Sequence, residues 1–224
     1  MKKAYWLSLM LALLALAIFP SGALALPFGE AAYATYSTGG VTTAYGTYSN
    51  NFVMDNPLLQ PGGKHVNSIY VRYDSNNIIE LGWSRSYPSG STNPQGFTVR
   101  SKNGSYELVN LGAMVQGQYA TFKIDNVAGT TSFGTYINGT SMYTWTSSGF
   151  SSGRTRVGSE RVNGGTSGDS NYANFKELKY KASNGAWGYW YKANDEYLGG
   201  QEDVFYDVYP NDANHSLYID KNYL

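Results

Sequence analysis

The chain has 224 residues and no cysteine, and its 16 basic and 16 acidic side chains cancel to a formal charge of +0. Lack of cysteine removes disulfides, thiolate metal sites and cysteine nucleophiles, so core packing and backbone pairing must hold the fold. A balanced charge at only 14% charged residues offers no electrostatic footprint for nucleic acid or an anionic membrane.

In chain order, Lys2 and Lys3 precede an apolar run from Ala4 to Phe19, then Pro20, Ser21 and Gly22, then Ala23-Leu24-Ala25. A positive segment, an apolar segment and a small-x-small site in this order predict a secretory signal peptide over 1–25. The run falls short of the ~20 apolar residues that cross a bilayer. The expected product is a secreted, extracellular protein with no membrane attachment after cleavage, folded as one domain over 26–224. Without Lys2 and Lys3 its acids are in slight excess.

A Thr/Gly/Tyr-rich opening from Tyr33 to Asn51 carries no periodic signal, and the sequence leaves its order undecided. The first clear strand is His65 to Tyr73, where Ile69 and Val71 alternate with Ser68, Tyr70 and Arg72. After Asp74-Ser75-Asn76-Asn77, Ile79, Leu81 and Trp83 alternate with Ile78, Glu80 and Gly82, completing a hairpin. Further strands are predicted at Phe97 to Ser101, Tyr106 to Leu111, Tyr119 to Asp125, Phe133 to Ile137, Met142 to Trp145 and Thr155 to Val162. Asn103-Gly104 and Asn138-Gly139 are among the turn signals between them, the latter the strongest hairpin signal in the chain. The aromatic run Trp187-Gly188-Tyr189-Trp190-Tyr191 reads as core, and alternation around Val204 to Tyr209 reads as strands completing the sheets. With 21 Tyr, 26 Gly and no sustained helical period, the fold class is all-β, a two-sheet antiparallel sandwich.

Two carboxylates carry the candidate chemistry. If Ile79, Leu81 and Trp83 face the core, Glu80 projects from the opposite face of its strand, and Glu160, alternating against Val157, does the same. Two glutamates on one concave face perform hydrolysis without metal or cofactor. One, ionised, takes a proton from water; the other, kept protonated by its neighbour's charge, donates to the carbonyl oxygen or the leaving group. Such a pair titrates as a unit and favours acidic pH. Tyr70, Arg72 and Arg156 share the polar faces of these strands and are the candidate substrate-binding residues. The plainer role for Glu80 and Glu160 is as solvated surface carboxylates paired with Arg72, Arg85 or Arg156.

The run Asn77-Ile78-Ile79-Glu80-Leu81-Gly82-Trp83-Ser84-Arg85-Ser86-Tyr87-Pro88 resembles the first glutamate segment of neprosin-type glutamic endopeptidases, and Val157-Gly158-Ser159-Glu160-Arg161-Val162 is similar to their second. The resemblance spans roughly Val66 to Val162. It implies a secreted concanavalin-like jelly roll, a peptide substrate, and Glu80 and Glu160 as the catalytic pair. The chain departs from the family in lacking its cysteines and in having Ser159 and Arg161 where Gly and Val are usual. Similar sandwiches also bind polysaccharides, so a non-catalytic sugar-binding or adhesive module and a structural surface protein are the competing functions.

Gly149-Phe150-Ser151-Ser152-Gly153 matches the Gly-x-Ser-x-Gly nucleophile pattern, followed by Asp203 or Asp207 and His215. No helical period follows Gly153, so the match reads as chance. His65 and His215 lack metal-ligand spacing.

Overall fold

The computed structural model describes residues 29–36, 43–53, 64–86, 93–162, 172–190, 193–199, 206–211 and 216–221. The signal peptide expected over 1–25, with Asp203 and His215, lies outside them. The strands among them are β1 (Gly29–Tyr36), β2 (Gly46–Val53), β3 (Lys64–Arg72), β4 (Ile78–Ser86), β5 (Gln95–Lys102), β6 (Ser105–Ala113), β7 (Gln118–Asn126), β8 (Phe133–Ile137), β9 (Thr140–Trp145), β10 (Arg154–Val162), β11 (Tyr172–Lys181), β12 (Trp187–Tyr189), β13 (Ala193–Gly199), β14 (Tyr206–Asn211) and β15 (Ser216–Lys221). No helix occurs among the described residues. One sheet has the order β13-β1-β10-β3-β4-β5-β6 and the other β14-β15-β11-β2-β7-β8-β9, with β12 pairing β11. Adjacent strands are antiparallel, so the all-β, two-sheet sandwich predicted from composition and spacing is the architecture. The Thr/Gly/Tyr-rich opening supplies parts of β1 and β2.

Local chemistry sets the hairpins. Asp74 Oδ1 accepts from the Asn76 backbone N–H (2.7 Å) and from Asn77 Nδ2 (3.0 Å), which turns the chain between β3 and β4. The register that follows puts Ile69 opposite Leu81 and Val71 opposite Ile79, as the alternation requires. Asn103-Gly104 and Asn138-Gly139 have φ of 53°/79° and 49°/79°, the paired left-handed conformation whose twist matches a two-residue hairpin.

The inward positions form one core. Ile69, Val71, Ile79, Leu81, Trp83 and Val157 from the first sheet cluster with Val53, Phe122, Ile124, Phe133 and Phe175 from the second. Burial of each such side chain stabilises the sandwich by roughly 1.5–3 kcal/mol. Two tryptophans tie the sheets together through their ring nitrogens. Trp83 Nε1 donates to the Phe52 carbonyl (3.1 Å), and Trp145 Nε1 donates to Thr98 Oγ1 (2.9 Å), which in turn donates to the Glu80 carbonyl (2.7 Å). The second sheet therefore steadies the backbone that carries Glu80. The interior is not wholly apolar: Thr47, Ser49 and Asn51 of β2 are fully buried.

The outer face of the second sheet carries a cross-strand row, Tyr189, Lys179, Tyr48, Lys123 and Tyr136, each opposite the next. Lys179 lies 4.7 Å from the Tyr48 ring centroid and 4.8 Å from that of Tyr189, and Lys123 lies 4.0 Å from Tyr136. Alternating cations and rings remove like-charge neighbours from this row and add cation–π attraction to the ladder.

Candidate active site

Strand β3 lies between β4 and β10 and is antiparallel to both, so β4 and β10 run in the same direction. The register places Glu80 opposite Tyr70, both Gly82 and Gly158 opposite Ser68, and Glu160 opposite Val66. The two glutamates thus flank one row, Gly82-Ser68-Gly158, from either side and on the face turned away from the core. Their sequence contexts are mirror images, Glu-x-Gly at 80–82 and Gly-x-Glu at 158–160. With nothing larger than serine in that row, three long side chains can converge above it.

Gly82 is required by close approach. A Cβ there would lie 2.3 Å from the Asn67 carbonyl oxygen and 2.5 Å from Ser68 Cβ. Gly82→Ala must push β3 and β4 apart, and about 1–3 kcal/mol of stability is expected to be lost in urea unfolding; an unchanged midpoint would contradict this packing.

The Tyr70 hydroxyl is the hub of the site. Ser68 Oγ donates to it at 2.6 Å, and it donates to Glu160 Oε1 at 2.9 Å. Arg156, 5% exposed, has its guanidinium carbon 5.9 Å from the Tyr70 ring centroid. Glu80 is 1% exposed and Glu160 3%, so the reading of both as solvated surface carboxylates is corrected. The strand face opposite the core is not a solvent face at this point.

Electrostatics bear most heavily on Glu80. Burial, and after it the charge of Glu160, push the Glu80 carboxyl up from 4.5 to about 8, against the hydrogen bonds of Ser68 and Tyr70 and the charge of Lys64. At neutral pH Glu80 therefore holds its proton. Lys64 is drawn below the usual lysine value of 10.5 by burial, against the attraction of Glu80 and Glu160. The arrangement combines a proton donor and a charged carboxylate, bridged by hydroxyls and flanked by cations.

Of the residues predicted from sequence, the structure brings Glu80, Glu160, Tyr70 and Arg156 together. Arg72 shares their face of β3 but sits at its end, where Nε donates to the Asp74 carbonyl (3.2 Å). Ser68, Lys64, Gly82 and Gly158 were missed; period-two spacing from Tyr70 on β3, and the mirrored Glu/Gly spacing, were the signals that could have found them. The Gly-x-Ser-x-Gly segment leads directly into β10, so no strand-to-helix elbow exists, and its Phe150 packs on Phe133 at 5.2 Å. Core placement of the aromatic run holds for Trp190, which is 4% exposed; Tyr189, 37% exposed, and Trp187, 6.3 Å from Tyr48, lie on the outer face instead. Their alternation sends them to the side opposite Trp190.

No protein-family model matches the chain, and no curated protein matches it in sequence. Among solved structures it is similar to SCP-B, a member of the eqolisin family of peptidases solved with the tripeptide Ala-Ile-His, at 12% identity and a TM-score of 0.54 over 87% of this chain and 98% of that one. It is also similar to scytalido-glutamic peptidase with a transition state analog inhibitor, at 10% identity and a TM-score of 0.57 over the same shares, 87% and 98%. At such identities the likeness establishes the sandwich fold shared with these peptidases and nothing finer.

Proposed function

We propose that this chain is a secreted glutamic peptidase-like hydrolase in which Glu160 is the general base and Glu80 the general acid. The observation that carries the reading is the pair of buried carboxylates on one sheet face, one holding its proton to about pH 8 and the other supplying the charge that helps hold it there. The neprosin-like segments around Glu80 and Glu160 and the fold shared with glutamic peptidases support it. Export through the signal sequence over 1–25 and a single domain over 26–224 belong to the same proposal.

In this mechanism the Glu160 carboxylate takes a proton from water as the oxygen attacks the peptide carbonyl carbon. Glu80 gives its proton to the departing nitrogen as the C–N bond breaks. A C–O bond forms, a C–N bond is lost, and one turnover leaves Glu160 protonated and Glu80 ionised. Arg156 beside the pair and Arg72 at the strand end supply donors for peptide carbonyls. The acidic working range expected of two carboxylates extends, on this assignment, up to the loss of the Glu80 proton near pH 8.

Incubating the purified protein with a mixed peptide library from acidic to weakly alkaline pH, with cleavage read by mass spectrometry, tests the reading. Cleavage that falls away as the pH passes through about 8 is expected. No cleavage by folded protein at any pH would overturn it in favour of a polysaccharide-binding module.

A further inference from the structure

We propose that the Ser68 and Tyr70 hydroxyls form a proton relay that carries the proton from Glu160 back to Glu80 after each peptide bond is cut. The relay rests on the paired-glutamate reading, because only a turnover that moves the proton from one acid to the other needs a way back.

The geometry is continuous from Ser68 to Glu160. Ser68 Oγ lies 2.6 Å from the Tyr70 hydroxyl, which lies 2.9 Å from Glu160 Oε1. On the other side Glu80 stands directly opposite Tyr70 across the β3–β4 pairing, and its Oε1 is a buried acceptor that no hydrogen bond satisfies, turned to the same face as the two hydroxyls. These separations are full-strength O–H···O bonds, and a hydroxyl is at once a donor and an acceptor, so it can take a proton on one side while releasing another. Ser68 is fully buried and Tyr70 is 4% exposed, which holds both hydroxyls in place.

The transfer balances without any other reactant. Glu160 passes its proton to the Tyr70 oxygen, Tyr70 passes its own to Ser68, and Ser68 passes its own to the Glu80 carboxylate. Each hydroxyl ends with one hydrogen, as it began, and one proton has crossed from acid to acid. The charged groups that the described residues bring around the relay are Glu80, Glu160, Lys64 and Arg156. The two cations favour the passing negative charge on the tyrosine oxygen. Exchange through solvent is restricted, since the acids are 1% and 3% exposed.

Pre-steady-state cleavage of a substrate peptide by the full chain tests this, with Tyr70→Phe, which keeps the ring, and Ser68→Ala, which leaves the Tyr70 bond to Glu160. The expected result in both is a burst of one product equivalent per enzyme, then turnover at least about tenfold slower than wild type, which shows no burst. First and later turnovers slowed equally, or neither slowed, would overturn the relay. If the wild-type protein cleaves no peptide at any pH, the hydrolase reading falls and the relay falls with it, an outcome distinct from cleavage whose first and later turnovers are slowed equally.

Discussion

Glu80→Gln and Glu160→Gln are each expected to lower kcat/KM by about a hundred- to ten-thousand-fold, the contribution of a positioned acid or base. Glutamine keeps the volume of the side chain and most of its hydrogen bonding, so the sandwich should persist and the loss should fall on chemistry. The two variants separate further in what they do to the remaining acid. Glu80→Gln replaces a protonated carboxyl by a neutral amide, leaving Glu160 with its Tyr70 hydrogen bond. Glu160→Gln deletes the charge that helps raise Glu80, so the Glu80 carboxyl should titrate below its wild-type value of about 8. Peptide cleavage assays on both variants, with circular dichroism to confirm folding, make the measurement. Wild-type rates in either variant would remove that glutamate from the mechanism.

The second large effect is on stability. Between pH 4.5 and about 8 the unfolded chain has released the Glu80 proton while the folded chain retains it. The folded state then binds more protons than the unfolded one, so raising the pH favours unfolding. The stabilisation is complete below the unfolded value and is lost as pH rises through the folded one, by on the order of a few kcal/mol. Urea unfolding across this range should show wild-type stability falling with pH and the Glu80→Gln curve flatter by that amount. Of the other groups facing Glu80, Lys64 is drawn below 10.5 by burial and acts toward the alkaline side of this window. Parallel wild-type and variant curves would show that Glu80 is not held protonated by burial.

Much of this was legible in the residues. Asn138-Gly139 and the Asp74 turn specify their hairpins through backbone conformations and hydrogen bonds made within a few residues. The alternation of Ile79, Leu81 and Trp83 commits Glu80 to the other face of β4, and Val157 commits Glu160 in the same way. The inward polar residues of β2 were not legible, because Thr47, Ser49 and Asn51 give no apolar alternation. Outer-face placement of Trp187 and Tyr189 was equally hidden, since an aromatic side chain suits either face and the faces differ only in what lies opposite.

The sequence by itself determined the central strands from β3 to β10, the turns between them, and the face from which each glutamate leaves its strand, since these follow from period-two geometry and local turn chemistry. Only the tertiary structure decided that β3 is the strand between β4 and β10, so that Tyr70 reaches Glu160 from 90 residues away. It also decided that the shared face is buried enough to keep Glu80 protonated. The physical reason is that strand order comes from long-range pairing, which closes loops whose ends carry no local record of each other, and a carboxyl's pKa is set by the neighbours that pairing brings to it.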